Sequence, residues 1–322
     1  MHRHLSSRRG FLALAGATLA CPALVRAAAP DIVLGDAFGT TWRIVGATNA
    51  QLSGFRAGLE RLFRSIDAEM SPWRPDSAAS RFNASATGWI ASPEMIHVTQ
   101  AALRLAADSH GAFDPTVGPL VARWGFGPIT GDGLPDWRGV QITPDRIVKA
   151  SADLTLDLCG IAKGRALDRV CDLARDFGLD SLLVDLGGEL GALGRHPSGR
   201  EWQVAVENPL SGQSPAAVLH LPDGMSVATS GLSAQSYTVG TRLWGHIIDP
   251  ASRSPVNGRL RSVTVLAYDA MTADGWATAL FAAGDDAGPA LARDRDIAAL
   301  FLFDDGSALR RVATGGIAEA LV

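Results

Sequence analysis

Leu156-Asp157-Leu158-Cys159-Gly160-Ile161-Ala162-Lys163-Gly164-Arg165 is the stretch on which the fold turns. Alternating apolar residues lead through a glycine into a helix-period pattern that runs to Phe177, so a strand is expected to pass directly into a helix at about Gly160. Such a junction is an anion site. The first turn of a helix offers unpaired N–H groups and the positive end of its dipole, glycines let a phosphate approach the backbone, and Lys163 adds charge. The pattern is neither Gly-x-Gly-x-x-Gly nor a Walker loop. A tight strand-to-helix turn with a solvated lysine would read the same way.

Upstream, Gln141 to Asp157 breaks into short alternating pieces, Arg146-Ile147-Val148 and Leu154-Thr155-Leu156, expected as adjacent strands. Leu52, Phe55, Leu59, Leu62, Phe63, Ile66 and Met70 follow the spacing of one helical face, predicting an amphipathic helix over Gln51 to Met70. Two prolines then stop it in Ser71-Pro72-Trp73-Arg74-Pro75-Asp76, where Trp73 is a candidate stacking platform and Asp76 can cap a short helix carrying Ser80, Arg81 and Phe82. A further helix starts at Ser92-Pro93 and ends before Gly111.

Downstream, the apolar run Leu182 to Leu186 ends in Gly187-Gly188. Strands are expected at Trp202–Val206, Ala217–Leu221, Leu243–Ile248, Arg261–Ala267 and Ile297–Phe303, with a helix from Ala273 to Ala283. Strands and helices alternate too irregularly for a doubly wound sheet. The expected class is therefore α+β, with mixed sheets and packed helices.

The N-terminus carries Ser7-Arg8-Arg9-Gly10-Phe11-Leu12, an apolar stretch to Val25 and the small residues Ala27-Ala28-Ala29. These read as a twin-arginine export signal over residues 1–29, leaving 30–322, enough for one large domain or two intimately packed ones, outside the cytoplasm. Thr18-Leu19-Ala20 before Cys21 also forms a weak lipoprotein cleavage box, so a lipid anchor at Cys21 stays open, and membrane contact is expected only through it. A net charge of −4 gives no basic footprint for nucleic acid. Cys159 and Cys171 would lie about 16 Å apart along one helix, too far for a disulfide, and are expected as buried apolar side chains.

Asp274 and Thr278 stand four apart in Thr272-Ala273-Asp274-Gly275-Trp276-Ala277-Thr278 and share one helical face. A carboxylate beside a hydroxyl suits a hard cation such as Mg²⁺, which keeps company with phosphates; a solvated helix surface would carry the same pair. His246 lies among strand residues closed by Asp249-Pro250, and its imidazole could take a proton from a hydroxyl. His97, His110, His196 and His220 show no metal-ligand spacing.

Taken in order, Phe38-Gly39-Thr40, Met70 to Ser77 with Ser80 to Asn83, Gly111 to Asp114, Asp157 to Gly164, Gly187-Gly188, Thr229-Ser230-Gly231, His246 to Pro250 and Thr272 to Thr278 resemble the ApbE-type FAD:protein FMN transferases. The resemblance spans nearly the whole chain beyond the signal and implies a single T-fold-like catalytic unit. It further implies that FAD is the substrate, bound by Phe38, Trp73, Ala112, Phe113, Asp114, Asp157, Lys163 and Ile248. Mg²⁺ would be held by the backbone carbonyl of Gly160 and by Asp274 and Thr278. The family usually has Met at the position of Phe38 and Tyr at that of Trp73; both changes keep an apolar or aromatic wall.

The implied reaction cleaves FAD, links FMN to a Thr or Ser hydroxyl of an acceptor protein and releases AMP. The acceptors implied are FMN-binding domains of membrane redox complexes in the periplasm, with His246 as the base. Two other classes use the same residues: an FAD carrier or assembly factor without turnover, and a pyrophosphatase giving FMN and AMP.

Overall fold

Eight strands stand in the sheet in the same order as in the chain: β1 (Ile32–Ala37), β2 (Thr40–Val45), β3 (Leu182–Leu186), β4 (Glu189–Leu193), β5 (Ser226–Gly231), β6 (Leu260–Ala267), β7 (Ala299–Asp304) and β8 (Leu309–Thr314). Every neighbouring pair is antiparallel. The computed structural model describes residues 31–46, 49–210, 214–240, 242–306 and 308–322. The expected export signal, with Cys21, lies outside the described residues, as does the side chain of Leu52.

Seven helices complete the described chain: α1 (Asn49–Met70), α2 (Ala78–Ala84), α3 (Pro93–Asp108), α4 (Gly118–Arg123), α5 (Cys159–Asp176), α6 (Ala270–Asp294) and α7 (Ile317–Ala320). The β1–β2, β3–β4 and β7–β8 connections are short and the other four are long. The β2–β3 connection holds α1 to α5 and a small sheet of Gly88–Ile90, Val140–Ile142 and Arg146–Lys149, and the β6–β7 connection holds α6. Leu182, Val184 and Leu186 pack with α1, α5 and α6 on one face, while Leu183 turns to the other, where Trp202–Val206 pairs with Ala217–Leu221. The α+β class is the one the sequence led us to expect.

Two sheet turns set up later geometry. Phe38-Gly39 joins β1 to β2 with φ of 52° and 73°, and Gly187-Gly188 joins β3 to β4 with φ of 66° and 105°. Two-residue hairpins favour this left-handed backbone because it matches strand twist. Phe38 adopts it without being glycine, and its ring lies edge-on to Phe63, 5.3 Å away.

Several local expectations are corrected. Leu154-Thr155-Leu156 carries no strand pairing, because the Asn83 side chain takes the partner's place: Leu156 N–H donates to Asn83 Oδ1 at 2.7 Å and Asn83 Nδ2 donates to Leu156 O at 3.0 Å. Ser77, not Asp76, caps α2 by accepting from Ser80 N–H at 3.0 Å, and Asp76 pairs with Arg74 instead. The strand expected over Leu243–Ile248 is broken at His246-Ile247 into Arg242–Gly245 and Ile248–Asp249. Helix α6 runs well beyond Ala283, through a non-helical Gly284.

The start of α6 is fixed by α5. Asp168 accepts from Ala270 N–H at 2.6 Å and Met271 N–H at 3.0 Å, and Asp269 accepts from Thr272 N–H at 2.8 Å, which satisfies the first free donors of the helix. At Gly164 the helices touch: a Cβ there would meet Ala270 O at 2.2 Å and Asp274 Cβ at 2.7 Å. Gly164→Ala is expected to cost about 1–3 kcal/mol through overpacking. Gly316→Ala, where a Cβ meets nothing within 4 Å, should change stability by less than about 0.5 kcal/mol. Chemical denaturation of both variants tests this, and equal losses would contradict a close crossing.

Candidate active site

A cavity of about 1010 Å³ opens where α1, α5 and α6 meet the turns of the sheet. Phe38, Trp73, Ala112, Phe113, Asp114, Asp157, Gly160, Lys163, His246, Ile248, Asp274 and Thr278 all line it. Residues separated by up to 240 positions in the chain thus face one space.

Its floor is the α5–α6 crossing. Asp274, 4 % exposed, accepts from Gly164 N–H at 2.9 Å, and Thr278 Oγ1 donates to the Gly160 carbonyl at 3.4 Å. Ser230 Oγ lies 3.2 Å from Thr278 Oγ1. A Cβ on Gly160 would meet Phe113 and Thr278 at 3.1 Å, so only glycine fits here without crowding both. Hydroxyl, carbonyl and carboxylate groups therefore line one stretch of the cavity, the donor types that suit a hard cation. No side chain caps α5 at Leu158, while Cys159 N–H donates to Asp157 Oδ1 at 3.0 Å.

Above this floor Lys163 Nζ donates to Glu189 Oε1 at 2.6 Å. Glu189 opens β4 and is 2 % exposed, and burial pushes its pKa up to about 8 against the pull of Lys163. Burial also raises the pKa of Asp274, with Lys163 pulling it back. Lys163 itself is raised: burial alone would lower it, but the Glu189 and Asp274 carboxylates outweigh that effect. Two buried carboxylates share one ammonium, which leaves the floor short of positive charge. Sequence reasoning passed over Glu189, since only the Gly187-Gly188 turn before it was conspicuous.

The walls come from loops. Trp73 is 65 % exposed and leaves an aromatic face open at the cavity rim, and Ile248 supplies buried apolar surface. Ala112 and Phe113 follow the end of α3, where Phe113 N–H donates to Ser109 Oγ at 3.0 Å. The Asp114 carboxylate turns into its own loop, accepting from Thr116 N–H at 2.8 Å and from Thr116 Oγ1 at 2.6 Å, and burial raises its pKa. Cys159 differs from expectation. It is exposed rather than buried, although the surrounding protein raises its thiol pKa well above the ordinary value; Cys171 is buried, and both are free.

His246 sits at the foot of a hairpin of Ser236–Val239 and Arg242–Gly245, held by stacking of Trp244 on Trp124 and of Tyr237 on Phe126, each at 5.0 Å. Its Nδ1 lies 3.1 Å from the Gln235 carbonyl. A carbonyl only accepts, so Nδ1 carries the proton and Nε2 keeps its lone pair. Burial lowers the pKa of the ring.

The ApbE family model matches residues 38–301, from the β1–β2 turn to the middle of β7. This chain belongs to the ApbE family. An FAD:protein FMN transferase of Vibrio cholerae is 34 % identical over 292 residues, covering 84 % of this chain and 87 % of that one. The structure of the flavin transferase ApbE from Vibrio cholerae superposes with a TM-score of 0.80 at 31 % identity, covering 91 % of this chain and 100 % of the other. The apo flavinyl transferase ApbE of Pseudomonas stutzeri gives 0.81 at 32 % identity, over 90 % and 96 %. The ApbE resemblance drawn from scattered motifs is thus borne out, and the fold is that of solved ApbE proteins.

Because burial lowers the imidazole pKa, His246 should be neutral at pH 7 with its proton on Nδ1. Nitrogen-15 NMR of the ring should show that tautomer and a midpoint below 6.5, the ordinary value. A midpoint above 6.5, or an Nε2–H form, contradicts the arrangement.

Proposed function

We propose that this chain is a Mg²⁺-dependent FAD:protein FMN transferase that forms a phosphoester between FMN and a Thr or Ser hydroxyl of an acceptor protein, releasing AMP. The observation that carries the reading is that Gly160, Asp274, Thr278 and Lys163 line the same cavity as His246. The names of the relatives, FAD:protein FMN transferase and flavin transferase, support the same chemistry.

The oxygen donors and the charge deficit of the floor fit a divalent cation, which would be held by Asp274, Thr278 and the Gly160 carbonyl. Bound there, such an ion neutralises pyrophosphate oxygens. Lys163 and the start of α5, where only the Cys159 N–H is taken by Asp157, add positive field from the protein and orient the same group. Phe38, Trp73, Ala112, Phe113, Asp114, Asp157 and Ile248 form the surfaces that receive the flavin and the rest of FAD. A cavity near 1010 Å³ lies at the upper end of the range of small-molecule sites, as a dinucleotide requires.

His246 Nε2 takes the proton of the acceptor hydroxyl. The hydroxyl oxygen bonds to the FMN-side phosphorus, the bond from that phosphorus to the bridging oxygen breaks, and AMP leaves as an anion. The imidazole holds the proton until solvent removes it. A base of this kind contributes roughly 10²–10⁴-fold. His246→Ala should lower the single-turnover transfer rate by that factor with FAD affinity within about threefold of wild type; a loss smaller than threefold would exclude the role.

We place the mature protein in the periplasm, exported through the twin-arginine route, with FMN-binding domains of membrane redox complexes as acceptors. Among the described residues no helix is long and apolar enough to cross a membrane. Replacing Arg8-Arg9 by two lysines should leave the protein in the cytoplasm, and the mass of the exported chain shows whether Cys21 is lipidated. The central test incubates the protein with FAD, Mg²⁺ and acceptor domains and looks by mass spectrometry for FMN on Thr or Ser. Intact FAD and no adduct would identify a carrier; FMN and AMP without adduct would identify a pyrophosphatase.

A further inference from the structure

Among the described residues lining the cavity, only Glu189 carries a buried side-chain oxygen without a hydrogen-bond partner. Its two oxygens have different surroundings. Oε1 receives Lys163 Nζ at 2.6 Å, whereas Oε2 receives nothing. A buried carboxylate oxygen without a protein donor is unfavourable unless a bound group completes it.

The main chain delivers Glu189 to this place. It pairs with Leu186 across the β3–β4 turn, and Gly187 in that turn has φ of 66°, with Thr40 Cγ2 standing 2.5 Å from where a Cβ would be. The carboxylate is therefore held by the sheet rather than by a loop. Asp274 is near enough for its charge to raise the Glu189 pKa. Glu189 and the three cation donors also line the same cavity, so the unpaired oxygen and those donors border one space.

Three protein donors leave half the positions of an octahedral cation open, and a small hard cation fills such positions with phosphate oxygens and retained water. Water supplies the O–H donors that an unpaired carboxylate oxygen lacks. We infer that Glu189 is a positioning residue with two tasks: Oε1 fixes the Lys163 ammonium, and Oε2 accepts from water bound to the cation at Gly160, Asp274 and Thr278. This rests on the reading of the site as a cation-assisted flavin transferase.

Mn²⁺ reports on the site by electron paramagnetic resonance and calorimetry, independently of transfer. Glu189→Gln keeps an acceptor for Lys163 and puts an N–H₂ donor in place of the second oxygen. With FAD bound, its Mn²⁺ affinity should fall about 10–100-fold, the usual effect of losing an outer-shell partner. The Mn²⁺ spectrum should change, while metal-free FAD affinity stays within about threefold. Glu189→Asp should recover part of the Mn²⁺ affinity. Glu189→Ala should weaken both ligands, and if it fails to fold, the Gln and Asp variants decide.

Mn²⁺ affinity within twofold of wild type in Glu189→Gln overturns the inference and leaves the transferase reading intact. Wild-type protein that binds FAD but no Mn²⁺ overturns both.

Discussion

The backbones of α5 and α6 meet at Gly164, where a methyl group would stand 2.2 Å from the Ala270 carbonyl oxygen. That approach decides how far apart the two halves of the cavity floor lie. Because the helices are this close, the Gly164 N–H reaches Asp274 and the Gly160 carbonyl reaches Thr278. Asp168 then locks the start of α6 by accepting two of its first N–H groups. One crossing thus aligns a helix end, a carboxylate and a hydroxyl to within a hydrogen-bond length.

Two aspartates at this crossing, Asp168 half-buried and Asp274 buried, have opposite fates. Burial pushes Asp168 up to about 6, but two backbone N–H groups hold its charge, so it serves the structure. Asp274 receives one backbone N–H, faces open space and shares Lys163 with Glu189. The first carboxylate is satisfied by the fold, whereas the second lacks countercharge that the described protein does not supply. That imbalance is the physical basis for the cation proposed at this floor.

The cavity walls, where the flavin is proposed to lie, are built by another principle. Phe38, Trp73 and Ala112-Phe113-Asp114 stand on a two-residue turn, a proline-bounded loop and a helix exit, each braced locally: Phe38 on Phe63, Phe113 on Ser109, Asp114 on Thr116. His246 likewise depends on the Gln235 carbonyl and on an aromatic stack that ties its hairpin to Trp124 and Phe126.

Period and punctuation determined what is local. The amphipathic face from Phe55 to Met70, the Ser92-Pro93 helix start and the glycine turns were legible because side-chain spacing and φ preference act within a few residues. Ordered motifs also gave the family and the set of residues that line one cavity. Legibility failed where a distant side chain supplied the partner. Asn83 replaces a strand neighbour for Leu156, and Asp168 begins α6 earlier than its own pattern suggests. Glu189 was invisible for the same reason, since its meaning lies in Lys163, 26 residues away, and in the loss of water around both. Burial and charge are properties of packing between segments, so only the tertiary structure decided which carboxylates are starved of countercharge.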